Sequence, residues 1–234
     1  MVMGAPMPMN MAQARICPMR IDADYITLAQ WVSPALPVGG FAFSHGIEAA
    51  IQDGLITSAD DLEDWLCDLL HHGTGRNDAI WIGLGAKAEG HGALIALQDE
   101  ARAWQFAAPR LREAQNMGAS FSALMRDVWG QQGLPDLFVP IALGFVAAQR
   151  GIAPADAAAL YLQGFFANLV AAVQRLMPLG QVAAQGILAR LSPQIAALAP
   201  TAETASLDDL HSTAFLSDIA AAHHGLAPAR MFQS

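Results

Sequence analysis

Histidine is the residue type in this sequence that points most directly to metal chemistry. The chain has seven histidines, and four of them form two adjacent pairs, His71–His72 and His223–His224. Adjacent side chains on a helix point about 100° apart, so such a pair cannot chelate one ion as residues four positions apart do. A histidine in the last turn of a helix usually interacts with free carbonyls and the negative end of the helix dipole. We therefore predict no metal site, and a metal role for either pair is the less favoured alternative.

Catalytic motifs are the next possibility. The sequence has no Gly-x-x-x-x-Gly-Lys-Ser/Thr phosphate loop, no Cys-x-x-Cys pair and no His-Glu-x-x-His zinc motif. Ser44 and His45 are adjacent, and a triad-type hydrogen bond between neighbours needs an unusual local geometry. We predict that the chain is not an enzyme. The alternative is a helical enzyme with an enclosed pocket that uses Glu48 or Glu113 as a base, which requires converging polar side chains in the folded protein.

An apolar segment rich in Pro and Gly runs from Ser33 to Glu48, with the sequence SPALPVGGFAFSHGIE. Its prolines and paired glycines break helices, although helix-like sequence flanks them. Connectors are usually polar, so this composition favours a packed corner or a shaped surface. Phe41 and Phe43 could both be core residues; the alternative is that one of them faces outward, because aromatic side chains are favoured at protein interfaces. The residues expected to contact a partner here are Pro37, Gly39, Gly40, Phe41, Ser44, His45 and Glu48.

Helical signals surround this segment. Ser58 suits an N-cap, and apolar residues follow it at helical spacing as far as Gly73. Pro109 and Pro154 each suit the first turn of a helix, and the helix after Pro154 is apolar on nearly every side, so we expect it to be central and fully enclosed. A final helix is predicted to open at Ser206 and to end near Gly225. No alternating pattern indicates strands.

The predicted fold class is therefore all-α, a single-domain helical bundle. We place the helical domain at residues 23–225, with a flexible N-terminal tail over 1–22 and a C-terminal tail over 226–234. Pro228 precedes the last residues, which are expected to be extended and to make few contacts with the core.

A second Pro-containing corner has the sequence RLMPLGQ, from Arg175 to Gln181. Pro178 separates two predicted helices, and Arg175 lies at the end of the first, where a buried arginine would satisfy free carbonyl groups. Gln181 would cap or cross-link adjacent helices. This structural interpretation is favoured. The alternative is that the corner presents Arg175 or Gln181 to a partner.

Composition limits the classes of function. The chain is 54 % hydrophobic and 14 % charged, which is little charge to cover a monomer, so we expect a homodimer or a partner interface. The net charge of −9 argues against nucleic acid. The weakly charged stretches at 134–149 and 157–173 fall short of a clean bilayer span, and peripheral membrane association stays an alternative. Two distant cysteines and the lack of a leader favour a cytoplasmic protein.

Several blocks resemble one family. The segment at residues 33–48 and the RLMPLGQ corner, in this order and separation, are similar to signatures of the UreF family of urease accessory proteins. The other similar blocks, which with these extend over nearly the whole chain, are residues 111–118, 145–152, 164–170 and 218–234.

The resemblance implies a homodimer that binds UreD (also called UreH) and recruits the GTPase UreG, in a complex that carries nickel to apo-urease. It implies no cofactor of the chain's own. It further implies that the tail docks on UreD/UreH, with Arg230 and Phe232 matching the family and His224 matching a recurrent histidine. Gln233 stands where the family more often has a basic residue, and Gly225 where it more often has an acidic one. We therefore expect the tail to dock through an apolar anchor rather than through salt bridges. Arg112 and Arg230 are the candidates for an arginine that acts on the GTPase.

Overall fold

The computed structural model describes residues 22–225 and 230–233. The predicted N-terminal tail, apart from Asp22, and residues 226–229 and 234 of the predicted C-terminal tail lie outside these described residues. Within them the chain forms eleven α-helices and two 3₁₀ turns and no strand, which confirms the all-α prediction. The helices are α1 (Ala23–Trp31), α2 (Ile47–Gln52), α3 (Ala59–His72), α4 (Thr74–Lys87), α5 (Gly90–Ala103), α6 (Ala108–Trp129), α7 (Val139–Ala148), α8 (Pro154–Leu176), α9 (Gln181–Leu198), α10 (Thr201–Thr204) and α11 (Phe215–His224).

Local capping signals explain where several helices begin and end. The Ser58 hydroxyl accepts a hydrogen bond from the Asp61 amide at 3.1 Å, which caps α3. Pro109 and Pro154 lie in the first turns of α6 and α8, as predicted. Gly130, with a φ of 73°, ends α6 in the left-handed conformation. Pro178 separates α8 from α9, which confirms the corner.

The predicted start of the last helix is wrong. Ser206 and Asp209 form a capping box, but it caps only a 3₁₀ turn at Leu207–Asp209. Residues 211–214 are not helical, and the amides of Thr213 and Ala214 both donate to the carbonyl of His72, at 2.8 and 3.3 Å. Helix α11 therefore begins at Phe215, while its end at His224 agrees with the prediction.

The centre of the bundle is formed by α4, α7 and α8, and α9 packs on α8. Helices α4 and α7 approach so closely that a Cβ added to Gly144 would lie 2.0 Å from the carbonyl oxygen of Ile82. A Cβ at Gly85 would lie 2.3 Å from the carbonyl oxygen of Ile141. The two glycines therefore allow backbone-to-backbone packing that no larger residue permits.

Helix α8 is central but not fully enclosed as predicted, because Gln163, Ala171 and Arg175 are exposed. By length and hydropathy α8 is long enough and apolar enough to cross a membrane, in contrast to our estimate from the sequence. Its packing against α4, α7 and α9 accounts for the apolar composition, since a helix that is apolar all round is typical of a protein core.

Candidate functional site

The segment between α1 and α2 changes direction at three residues with positive φ. Gly39 (79°) precedes a 3₁₀ turn at Gly40–Ala42, and His45 (57°) and Gly46 (82°) precede α2. His45 is the one non-glycine residue with a positive φ among the described residues. A left-handed conformation costs such a residue about 1–2 kcal/mol, so its surroundings must hold it in place.

Those surroundings are a group of polar side chains that we call the His45 cluster: the buried His45, Arg110 and Glu113, with the half-buried Thr74. His45 Nδ1 lies 3.3 Å from Glu113 Oε1, and His45 Nε2 lies 2.9 Å from Thr74 Oγ1 and in contact with Arg110 Nη1. Arg110 also donates from Nη1 to Thr74 Oγ1, at 3.0 Å. Charged side chains are rarely buried unless they are paired in this way.

The protonation of His45 follows from these contacts. Burial, and then the positive charge of Arg110, lower the pKa of His45, so its ring is neutral near pH 7. Since Arg110 only donates, Nε2 must accept, and the single ring proton is assigned to Nδ1, which donates to Glu113. The ring of Phe165 packs edge-on against the imidazole, with ring centres 5.1 Å apart.

Arg110 connects the His45 cluster to the last helix. Its Nη2 group donates to the carbonyl and the hydroxyl oxygens of Ser217 in α11, at 3.3 and 3.1 Å. The prediction for this region named His45 and Glu113 but missed Arg110, Thr74 and Ser217. A signal was present, because Arg110 and Glu113 share one face of α6 with the buried Phe121 and Met125. Charged residues within an apolar stripe indicate a buried network.

Glu48 forms a second buried polar group, with the end of the chain. Its side chain accepts hydrogen bonds from the amides of Met231 (2.7 Å) and Phe232 (3.0 Å) and lies 2.9 Å from His224 Nε2. Burial alone would raise the pKa of Glu48, but these three hydrogen bonds outweigh it and hold the pKa below its usual value. Glu48 is therefore a charged acceptor with both carboxylate oxygens engaged in hydrogen bonds and a lowered pKa, which is unsuited to the general base of our enzyme alternative.

The described tail residues 230–233 pack on their own chain. Phe232 is only 4 % exposed, and the Gln233 amide donates to the Ala42 carbonyl at 2.8 Å. The expectation that this segment makes few contacts with the core is therefore wrong for Phe232. In this conformation its ring is covered by the chain itself, and its role as an anchor for a partner stays a prediction.

Arg175 lies between the segment and the tail. Its Nη2 group donates to the Phe41 carbonyl at 3.0 Å, and its guanidinium carbon lies 4.3 Å from the centre of the Phe232 ring. Arg175 is exposed and binds a carbonyl of the segment, so the prediction that it is buried and satisfies carbonyls of its own helix is wrong. The contact instead joins two parts of the chain that are distant in sequence.

The remaining predicted partner residues fall into two groups. Ser44 is buried with His45, and its hydroxyl accepts from the Glu48 amide at 3.4 Å, while His224 is fully buried. Pro37 and Gln181 are exposed, and Gly39 and Gly40 are partly buried. Of the two phenylalanines, Phe41 is 71 % exposed and Phe43 is 4 % exposed, so one of them faces outward and only Phe43 is a core residue.

These contacts join the segment to the tail, and we call the exposed residues of the two parts, with Arg175 between them, the tail–segment surface: Phe41, Arg175, Arg230 and Met231. Phe41 and Met231 are 71 % and 63 % exposed, which is high for large apolar residues. Arg230 precedes Met231 and is also exposed. Aromatic residues, Met and Arg are the types enriched at protein interfaces.

The histidine pairs behave as helix-terminal residues. His71–His72 end α3 and His223–His224 end α11, as predicted. His71 Nε2 lies 2.8 Å from the Gln194 amide oxygen, and His223 Nδ1 lies 3.4 Å from Asp53. Across residues 22–225 and 230–233 no group of three or more His, Cys, Asp or Glu side chains is placed to hold a metal ion.

A cavity of about 150 Å³ lies beneath the segment at residues 33–41. Its walls are mainly apolar and include several aromatic side chains, with contributions from α4, α6 and α8, and its polar lining includes the His45 cluster and Asp78. Burial raises the pKa of Asp78 to about 7, although the Tyr161 hydroxyl donates to Asp78 Oδ2 at 2.8 Å. Converging polar groups beside a cavity, which the enzyme alternative required, are thus present.

Known sequences are similar to this chain over most of its length. The profile of the UreF family matches residues 56–192. The chain is 42 % identical over 214 residues to a urease accessory protein UreF of Cereibacter sphaeroides, covering 92 % of this chain and all of the relative. It is 41 % identical to UreF of Ruegeria pomeroyi, covering 91 % of this chain and 98 % of the relative, and 38 % identical to UreF of Bradyrhizobium diazoefficiens, covering 88 % and 90 %.

The profile match spans more than half of the chain, and the relatives extend the similarity over nearly all of it. The all-α fold and the corner at Pro178, both predicted from the residues, are present. On these grounds the chain belongs to the UreF family of urease accessory proteins.

Proposed function

We propose that this chain is a scaffold in the maturation of urease, which binds UreD/UreH, recruits the GTPase UreG and so takes part in delivering nickel to apo-urease. One observation carries the proposal. Two of the segments that resemble the family, residues 33–48 and the C-terminal residues, are in contact although 184 positions separate Glu48 from Phe232, whose amide donates to the Glu48 carboxylate.

The chemistry of the tail–segment surface suits a protein partner. Phe41 and Met231 expose large apolar side chains, and exposed groups of this kind are unfavourable unless a partner covers them. Arg175 and Arg230 supply positive charge beside them in a chain whose net charge is −9. A partner that presents an apolar pocket bordered by carboxylates would match this surface.

The scaffold is proposed to work in the cytoplasm as a homodimer. A second apolar surface supports self-association, because Phe215, Leu216 and Ile219 on α11 are each at least 50 % exposed. These residues lie on the face of α11 opposite the buried Ala220, Ala221 and His224. A dimer that covers this face would explain how a chain with 14 % charged residues remains dispersed.

We propose no catalysis by the chain itself. In the His45 cluster, His45 and Glu113 are hydrogen-bonded to each other, and Arg110 is committed to His45, Thr74 and Ser217. The chain would instead affect GTP hydrolysis by UreG, and the exposed Arg112 and Arg230 are the residues to change. The rate of GTP hydrolysis by UreG, measured with the wild-type scaffold and with Arg112→Ala and Arg230→Ala, would test this role.

Co-purification tests the scaffold directly. Tagged chain mixed with the matching UreD/UreH and UreG should retain both proteins, and Phe41→Asp and Met231→Asp should each lower retention at least tenfold. The matched control is Phe106→Asp, because Phe106 is 70 % exposed and lies between α5 and α6. Undiminished binding by both surface variants, or an equal loss in the control, would show that the tail–segment surface is not the interface.

A further inference from the structure

Asp78 is a half-buried acid that forms no ion pair with a Lys or Arg side chain among the described residues. It lies on α4 and lines the cavity beneath the segment at residues 33–41. In the described part of the chain its recorded hydrogen bond comes from Tyr161. Buried carboxylates are usually paired, so this group is left with unused capacity to bind a positive charge.

An anionic ligand would find no free positive charge among the described residues beside the cavity. Arg110 uses both terminal nitrogens within the protein, on His45, Thr74 and Ser217. Its Nε has no partner, but that atom is sealed from the cavity by surrounding atoms. An anionic ligand would therefore meet Asp78 and Glu113 without a free cation, whereas a cationic ligand would meet a carboxylate.

The volume and lining of the cavity indicate the size and the apolar character of the uncharged part of the ligand. A volume of about 150 Å³ is comparable to cavities that accept a benzene-sized molecule. The lining includes the aromatic side chains of Trp31, Trp81, Phe121, Tyr161 and Phe165. Aromatic faces attract organic cations as well as apolar groups, so the walls suit a small hydrophobic body that carries an ammonium group.

We propose that this cavity binds a small organic amine, with its ammonium group on the Asp78 carboxylate and its hydrophobic body against the aromatic walls. The segment at residues 33–41 covers the site. The Asn168 amide holds this segment against α8 by donating a hydrogen bond to the Gly40 carbonyl at 3.1 Å. Phe41 belongs both to the lining of this site and to the tail–segment surface, but amine binding at Asp78 does not depend on the proposed scaffold function.

The site predicts a distinctive pH dependence. Groups that face Asp78 are Tyr161 from α8, Arg110 and Glu113 from α6 and His45 from the segment; the packed helix α7 carries no titratable side chain. Tyr161 has a pKa well above its usual value, and burial keeps His45 neutral. Asp78, with a pKa of about 7, is then the group that changes charge, so ammonium affinity should rise about tenfold from pH 6 to pH 8.

Titration of the full chain with benzylamine, followed by NMR and calorimetry, tests this inference. Benzyl alcohol serves as the neutral analogue of the same size. We expect saturable benzylamine binding that is about tenfold tighter at pH 8 than at pH 6, and benzyl alcohol binding that does not change with pH. No saturable binding of benzylamine at pH 8, or equal affinity at both pH values, would overturn the proposal.

Two variants locate the binding site. Asp78→Asn should weaken benzylamine binding about tenfold at pH 8 and abolish its pH dependence, while the exposed Asp127→Asn should leave both unchanged. Ala114→Leu, which adds volume to the lining, should reduce binding of both probes. Wild-type affinity in folded Asp78→Asn would place the amine elsewhere and contradict the proposal; if that variant does not fold, undiminished binding in Ala114→Leu would do the same.

Discussion

Phe232 and Glu48 are separated by 184 positions in the chain, and the amide of Phe232 donates a 3.0 Å hydrogen bond to the Glu48 carboxylate. The same carboxylate accepts from the Met231 amide and lies within hydrogen-bonding distance of His224. One buried charge therefore organises the end of the chain. Removing a single acceptor should release several groups together.

We expect Glu48→Gln to lower the free energy of unfolding by about 1–3 kcal/mol. A glutamine offers one acceptor oxygen and places an NH₂ group against donors, so at least one buried amide or His224 loses its partner. Urea unfolding measures the stability, and hydrogen exchange at Met231 and Phe232 reports release of the tail. Glu89→Gln, an exposed change at the start of α5, is the control that should alter neither.

The effect of Glu48 should depend on pH in a defined direction. Its folded-state pKa lies below the usual value of 4.5, so its stabilisation is present above about pH 4.5 and is lost as the pH falls through the folded-state pKa. The difference in stability between the wild type and Glu48→Gln should shrink between pH 6 and pH 3. A difference that stays constant over this range would mean that the charge of Glu48 contributes nothing.

Asp78→Asn should show the opposite behaviour. The folded-state pKa of about 7 lies above the usual 3.8, so ionised Asp78 destabilises the fold increasingly as the pH rises between these values. An asparagine keeps an acceptor for the Tyr161 hydroxyl and has no charge to bury. Thermal unfolding should give a higher Tm than the wild type at pH 8, with the gain smaller at pH 5. A lower Tm at pH 8 would mean that ionised Asp78 stabilises the fold.

Phe232→Ala should lower the free energy of unfolding by roughly 1.5–3 kcal/mol, the value of burying a phenylalanine side chain. Gln233→Ala should change it by less than about 0.5 kcal/mol, because the Gln233 side chain is exposed and its contact with Ala42 uses the backbone. Deletion of residues 230–234 should cost stability and still leave a folded protein with the helical circular dichroism of the wild type. Equal stability of Phe232→Ala and the wild type would show that Phe232 is not packed against its own chain in solution.

Light scattering should return a mass of about twice the single-chain value of 24.7 kDa. Ile219→Asp should lower that mass toward the monomer, because a charge on the exposed face of α11 opposes burial of that face. Val128→Asp is the control, since Val128 is 61 % exposed on a different helix. A monomeric wild type across micromolar concentrations would exclude the proposed dimer.

The sequence predicted those parts of the fold that are governed by local signals. The caps and prolines at Ser58, Pro109 and Pro154 act within one turn, and each helix begins where they indicate. Ser206 gave an equally good local signal, but contacts of Thr213 and Ala214 with His72 prevented the helix from continuing. Tertiary contacts of this kind leave no trace in a short window of sequence.

Only part of the candidate site was predicted from the sequence, because its contacts join residues that are far apart in the chain. His45 and Glu48 stand out within the segment at residues 33–48, but their partners come from far along the chain. Arg110 is 65 positions from His45, and Ser217 is 107 positions from Arg110. Arg175 was recognised, yet its contacts with Phe41 and Phe232 depend on how the segment and the tail fold back.

The position of the tail on Glu48 has a consequence for protein synthesis. Domains fold as the ribosome releases them, and helices α1 to α10 would be complete well before residues 230–233 emerge. Until then Glu48 lacks the two amides that it accepts from, and the tail–segment surface does not exist. A prematurely terminated product would therefore fold its core while lacking the interface, so binding at this surface would select chains whose translation had passed Phe232.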